Sequence, residues 1–314
     1  MDSINFSDLE SPLFIAWQIN AECNLGCLHC CEEAGHTMPG QLNWDETWDF
    51  LRQIKELNIP YVALSGGEPL LHPHFFDICR FIRDSNISLK VETNGEFIDE
   101  KIAERFGALK LRSVQISLDG ASAPVHERLR LRGDWKKAKD ACRLLIDNGV
   151  NTEIVFVPTK FNIKDVGELI DLAYSLGVYG VYTGKVMRIG RAAKNWDILC
   201  ASDKEYEEFF RVLEDKTRQY EGKMKVYYYP YDVIEELKYR LTSPAASLLV
   251  IPNGKVKLIG PLPFICGDLR KQGLARIWER YKQAWKDPRV VDWTHRLIDD
   301  PKLLSRSNDW IELT

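Results

Sequence analysis

Cys23-Asn24-Leu25-Gly26-Cys27-Leu28-His29-Cys30 sets three cysteines in a C-x3-C-x2-C spacing, directly after a β-rich run from Phe14 to Asn20. Three thiolates so close together can hold three irons of a four-iron four-sulfur cluster and leave the fourth open, whereas an electron-transfer cluster usually takes four cysteines. A structural zinc site completed by Cys31, His29 or His36 uses the same ligand types. Zinc sites usually come as two separated ligand pairs, however, and the sequence offers no second pair downstream. Of eight cysteines in the chain, four crowd into residues 23 to 31, a distribution that points to metal chemistry rather than a disulfide scaffold. Cys31, next to Cys30, points away from its neighbour in an extended loop and reads as a buried or idle thiol.

Outward from this loop the chain alternates short β-rich runs with longer amphipathic ones. The expected strands are Phe14 to Asn20, Tyr61 to Ser65, Ser88 to Glu92, Ser113 to Leu118, Thr152 to Val157 and Gly180 to Thr183. Expected helices run from Trp44 to Leu57, with Asn43 as cap, and over Phe75 to Arg83, Ile98 to Phe106, Trp135 to Asn148 and Ile163 to Leu176. Gly107, Gly149 and Gly177 are read as helix stops. Such a series of βα units predicts an α/β fold, a partial (β/α)6 TIM-like barrel with its chemistry at the carboxyl ends of the strands. After Gly190 the rhythm is expected to stop. Residues 1–200 are assigned to the barrel and 201–314 to a small α+β cap, with a helix from Asp203 to Tyr220, a strand-like Met224 to Tyr229, and a hairpin turning at Asn253-Gly254.

Four further motifs fall at expected strand ends, and a fifth, His126 with Arg130, follows the fourth strand. Gly66-Gly67-Glu68-Pro69 permits close backbone approach to a ligand and offers a carboxylate to an ammonium, or is simply a turn. Thr93-Asn94-Gly95 ends the third strand, and Ser117 with Asp119 ends the fourth, where a hydroxyl or carboxylate can meet sugar oxygens or make an ordinary turn. His126 and Arg130 lie in His-Glu-Arg-Leu-Arg, where an arginine can clamp a carboxylate or merely decorate a solvated loop. Phe156-Val157-Pro158 closes the fifth strand with apolar surface.

Taken together, these segments resemble the radical SAM superfamily. The resemblance implies that Cys23, Cys27 and Cys30 hold one 4Fe-4S cluster and that S-adenosylmethionine binds at the open iron. It further implies cofactor contacts from His29, Gly66, Gly67, Glu68, Pro69, Thr93, Asn94, Ser117, Asp119, Arg130 and Val157, with Ser117 the preferred ribose partner. Because Leu131 and Arg132 stand before Gly133, which of Arg128, Arg130 and Arg132 faces inward is left open. Residues 251 to 278 resemble the SPASM or twitch extensions of this family, but Cys266 is the one thiol there, so a cap without an auxiliary cluster is expected. Cys266 is then a packing residue or a reactive thiol near substrate.

The implied activity is generation of a 5'-deoxyadenosyl radical that abstracts hydrogen from a ribosomal peptide or cofactor precursor. An external electron donor of flavodoxin or ferredoxin type is implied with it. A carbohydrate-type dehydrogenase or epimerase is the second reading, and a non-enzymatic metal-binding module the third. With a formal net charge of -4, nucleic acid is not expected as a partner. No apolar run suggests a membrane span, and no targeting segment is evident, so a cytoplasmic protein is expected.

Overall fold

The computed structural model describes residues 6–313, which form two compact units. Its strands are β1 (Phe14–Gln18), β2 (Tyr61–Ser65), β3 (Ser88–Thr93), β4 (Ser113–Ser117), β5 (Thr152–Phe156), β6 (Gly180–Gly184), β7 (Lys225–Tyr229), β8 (Ser247–Val250), β9 (Lys255–Lys257), β10 (Phe264–Asp268) and β11 (Ile311–Glu312). The α-helices are α1 (Trp44–Glu56), α2 (Phe75–Asp84), α3 (Glu100–Leu109), α4 (Ala123–Leu129), α5 (Trp135–Asp147), α6 (Val166–Leu176), α7 (Gly190–Lys194), α8 (Trp196–Leu199), α9 (Asp203–Gln219), α10 (Val233–Thr242), α11 (Leu274–Ala284) and α12 (Pro288–Asp299).

Among the described residues, the first unit takes residues 6–23, 34–89 and 233–313. Within it β1 pairs in parallel with both β2 and β8, and β8, β9 and β10 continue as antiparallel neighbours before β11. The C-terminal segment is thus built onto the first strand, so the division into units does not follow the expected break near residue 200. Asn43 caps α1 as expected: its side chain accepts from Glu46 N while Glu46 returns a bond to Asn43 N, a reciprocal pair that satisfies two otherwise orphaned donors. In the 251–254 turn only Gly254 takes a positive φ, of 78°. Asn253 instead accepts a hydrogen bond from Lys255 N, at 3.2 Å.

The second unit takes residues 24–33 and 90–232, the boundary passing through β3. Strands β3 to β7 pair consecutively and all in parallel. The βα rhythm therefore does not stop at Gly190. Helix α9 serves as a crossover to β7, and the interruption expected from the sequence is the short α7–α8 insertion, whose few apolar residues carry no long period. One face of these strands is apolar: Val91, Val114, Ile116, Ile154 and Val181 have no exposed surface, and Phe156 stacks on Phe209 of α9. Each such fully buried aliphatic side chain contributes roughly 1.5–3 kcal/mol. Period-two alternation puts polar residues on the opposite face, where Lys90 lies 3.1 Å from Glu153 and 4.7 Å over the Tyr182 ring.

Two of the three glycine stops end their helices as expected. Gly177 is the left-handed C-cap of α6 at φ 82°, and Gly149 follows α5 at φ 72°. Gly107 does not stop α3, which runs on to Leu109 and ends with Lys110 in the left-handed region. The reason for glycine at 107 is packing: a Cβ there would lie 2.7 Å from the Asn148 carbonyl oxygen at the end of α5. Gly107→Ala is expected to lower stability to urea by about 1–3 kcal/mol through overpacking. Gly149→Ala, which has open space but keeps the positive φ, is expected to lose about 1 kcal/mol.

Candidate active site

In the first unit, the chain leaving β1 runs flush against the glycine motif. Gly67 N donates to Asn20 O at 2.8 Å, Glu68 N donates to Glu22 O at 2.7 Å, and Asn20 Nδ2 donates to Glu68 O at 2.9 Å. A Cβ on Gly66 would lie 2.5 Å from Asn20 O, and one on Gly67 would lie 2.0 Å from Glu22 O. The two glycines are thus required by backbone packing that fixes the segment leading into Cys23, in addition to any ligand they approach. Glu68 is fully buried, and its Oε1 accepts from Leu70 N at 3.2 Å, capping the 3-10 turn begun by Pro69. Buried oxygens of Asn20 and Glu22, Oδ1 and Oε2, make no hydrogen bond among the described residues.

In the second unit, Cys27 is buried while Cys30 is half-buried, and the loop between them is turned by a Cys30 N to Cys27 O hydrogen bond. The loop is also stitched to the end of α4, Gly26 N donating to Leu131 O at 3.0 Å and Leu28 N to Leu129 O at 2.9 Å. Asn24 is held by the Thr93-Asn94-Gly95 segment: Asn94 Nδ2 donates to Asn24 Oδ1 at 2.8 Å, and Asn24 Nδ2 donates to Glu96 Oε2 at 2.8 Å. Thr93 Oγ1 accepts from Gly95 N.

Asp119 organises the charges here. It has no exposed surface, and its Oδ2 accepts from Arg130 Nε at 2.7 Å and lies 3.2 Å from His29 Nε2. Its Oδ1 accepts from Val157 N at 2.8 Å. Burial alone would raise its pKa, but the Arg130 guanidinium, and next His29, hold the carboxyl well below the usual carboxylate range. Both carboxylate oxygens of Asp119 thus meet protein groups. Arg130 is the arginine turned inward, and the carboxylate it clamps is Asp119. Its Nη1 also donates to Cys27 Sγ, at 3.6 Å. His126 is pushed down to about 4 by burial and then by Arg130; neutral, its Nδ1 accepts from Asp119 N at 3.1 Å. Helix α4 carries His126, and Arg130 is its C-cap residue.

Ser117 is half-buried at the end of β4, and its hydroxyl makes no hydrogen bond among the described residues. The side chain of Val157 packs with Leu28 of the cysteine loop, Phe161 and Trp196 against Leu129, Val186 and Leu199. Cys31 donates to Glu32 Oε1, with burial raising its pKa. Cys266, in β10 of the first unit, is buried, donates to the Val256 carbonyl and is pushed up to about 12 by burial.

The residues suit an iron-sulfur cluster. Burial raises the Cys27 pKa against the lowering pull of Arg130, so a bound metal centre has to supply the positive charge that makes it a thiolate. His29 is 8% exposed, and its buried Nδ1 has no hydrogen-bond partner among the described residues, a polar atom left over for a bound group. Among the described residues no three His, Cys, Asp or Glu side chains converge on the position of a single ion.

The chain belongs to the radical SAM superfamily, whose family profile matches residues 17–173. Members of that family use a 4Fe-4S cluster and S-adenosylmethionine, and 5'-deoxyadenosyl radical chemistry is general to them. The AdoMet-dependent heme synthase of Methanosarcina barkeri is 25% identical over 294 residues, which are 86% of this chain and 82% of that protein. Mycofactocin maturase MftC of Mycobacterium ulcerans is 33% identical over 195 residues, 61% of this chain but 52% of the maturase, so the chain spans about half of that relative. Among solved structures, Streptococcus suis SuiB bound to S-adenosylmethionine superposes with a TM-score of 0.70 at 16% identity, over 91% of this chain and 68% of SuiB. That likeness establishes the fold as a radical SAM partial TIM barrel. No helix among the described residues is long and apolar enough to cross a membrane.

Asp119→Asn, which leaves the Arg130 charge buried without its counter-ion, is expected to cost about 3–5 kcal/mol at pH 7, measured by urea unfolding. A depressed folded-state pKa means that the carboxylate's contribution is fully present above about pH 4 and fades only as pH falls further. Asp119→Leu combined with Arg130→Met is expected to recover most of the loss.

Proposed function

We propose that this chain is a radical SAM enzyme in which Cys23, Cys27 and Cys30 ligate the cluster and a peptide or cofactor precursor supplies the hydrogen. When bound, a reduced cluster would supply one electron to the sulfonium of S-adenosylmethionine, whose C5'–S bond would break to give methionine and a primary carbon radical. The observation that carries the reading is the Cys27–Arg130–Asp119–His29 assembly, which sets a guanidinium against a cysteine sulfur and leaves one buried imidazole nitrogen without a protein partner.

Around that chemistry each residue has a task. Asp119 stays ionised and fixes Arg130 and His29. Arg130 turns positive charge toward Cys27. Ser117 offers a free hydroxyl to the nucleoside, and Gly66, Gly67, Glu68 and Pro69 form a rigid backbone edge for the methionine end, with Thr93 and Asn94 supporting the loop. Val157 gives apolar surface beside Leu28 and helps exclude water, which protects a reactive radical from side reactions. A flavodoxin or ferredoxin serves as electron donor.

The substrate assignment draws on the likeness to a heme synthase and to a peptide-cofactor maturase. The C-terminal residues 251–278 act as a cluster-free SPASM-like cap. An epimerase needs a second hydrogen donor, and the buried, backbone-bonded Cys266 does not serve as one. Anaerobic reconstitution tests the reading: the protein should bind about four irons per chain and release 5'-deoxyadenosine from S-adenosylmethionine under dithionite. Cys27→Ala should lose both, and retained cleavage in that variant contradicts the assignment.

A further inference from the structure

Beyond residue 173, where the family match ends, one short segment of the second unit reaches back to the cysteine loop. Arg191 N donates to Cys30 O at 2.8 Å, and Arg191 Nε donates to Cys27 O at 2.8 Å. Asn195 Nδ2 donates to Leu28 O at 3.0 Å and also to Arg191 O at 3.0 Å, bracing the segment on itself. Lys194 pairs with Glu33 at the far end of the loop. Gly190 stands at φ 57°, and a Cβ there would lie 2.2 Å from Cys31 O, so the two backbones touch. Three carbonyls of the loop, those of residues 27, 28 and 30, are therefore bonded from this one segment, while Leu129 and Leu131 take the loop's N–H groups from another direction.

General folding does not need such convergence on one loop. A polar stretch that reads in the sequence as a plain connection spends its donors on the carbonyls flanking two thiols. Fixing those carbonyls fixes the peptide planes and hence the directions in which Cys27 and Cys30 project. Arg191 also brings a guanidinium within one hydrogen bond of the Cys27 backbone. Positive charge beside a cluster favours its reduced, more negative state.

We propose that Gly190–Asn195 is a strut for the cluster loop, and that Arg191 is a positioning residue that holds Cys27 and Cys30 in cluster geometry and raises the cluster's reduction potential. The inference rests on the reading that these cysteines ligate a 4Fe-4S cluster, and nothing in it requires Arg191 to touch substrate. The full chain carrying Arg191→Gln or Arg191→Lys, reconstituted anaerobically, is compared with the unaltered protein by iron content, rate of iron loss to EDTA, midpoint potential followed by EPR, and far-UV circular dichroism.

Both variants should keep the native dichroism and lose iron about 10- to 100-fold faster, the usual scale for residues that orient metal ligands. Arg191→Gln should also shift the midpoint to a more negative value, while Arg191→Lys, which keeps the charge, restores it. Wild-type rates of iron loss and an unmoved potential in both variants overturn the strut. So does loss of the native dichroism in both, which would make the role one of general folding. Failure of the unaltered protein to bind iron overturns the cluster reading itself, a result distinct from variants that match a cluster-bearing parent.

Discussion

A carboxylate sealed from water must be neutralised where it stands, because its hydration is lost and little else stabilises the charge. Asp119 is such a group, and its two carboxylate oxygens meet Arg130 from the end of α4, His29 from the cysteine loop, and the backbone of Val157 after β5. Through this one anion the loop that carries the cysteines is tied to the ends of two strands. Arg130 passes the constraint on by donating to Cys27 Sγ, so positive charge lies against the sulfur while its own partner is buried behind it. Loss of the anion would strand the guanidinium and release His29 at once.

The first unit imposes a constraint of a different kind, steric rather than electrostatic. Gly66 and Gly67 let the backbone of Asn20 to Glu22 lie directly on the turn, and hydrogen bonds in both directions hold the two segments together. Any side chain at either glycine displaces the approach to Cys23. Within each unit, then, the segment carrying cysteine is held by backbone contacts, and three of the buried polar atoms that lack a hydrogen-bond partner among the described residues, His29 Nδ1, Asn20 Oδ1 and Glu22 Oε2, lie on those segments.

Much of this was legible in the sequence. Runs of β-branched and aromatic residues mark β1 to β6 to within two residues, and Asn43 as cap marks the start of α1. The motifs quoted from the sequence fall at strand ends, where parallel sheets gather loops. What could not be read depends on contacts between residues distant along the chain. His126 and Leu129 alone are buried in α4, too few for a period, so the helix looks like a loop. Gly107 carries the signature of a stop, yet it is a packing site whose partner, Asn148, belongs to another helix. Asp119 looks available to a ligand until Arg130 and His29 are seen on it. Arg191 and Asn195 sit in an unpatterned polar stretch, and only the fold shows that their donors end on the cysteine loop.

The proposed metal centre has one coordination position open to S-adenosylmethionine, and EPR of the reduced, reconstituted protein with and without S-adenosylmethionine is the decisive measurement. A fast-relaxing 4Fe-4S signal is expected, with g-values that shift when S-adenosylmethionine is added. A cluster signal indifferent to S-adenosylmethionine, or a protein that binds zinc and shows no signal at all, would contradict it.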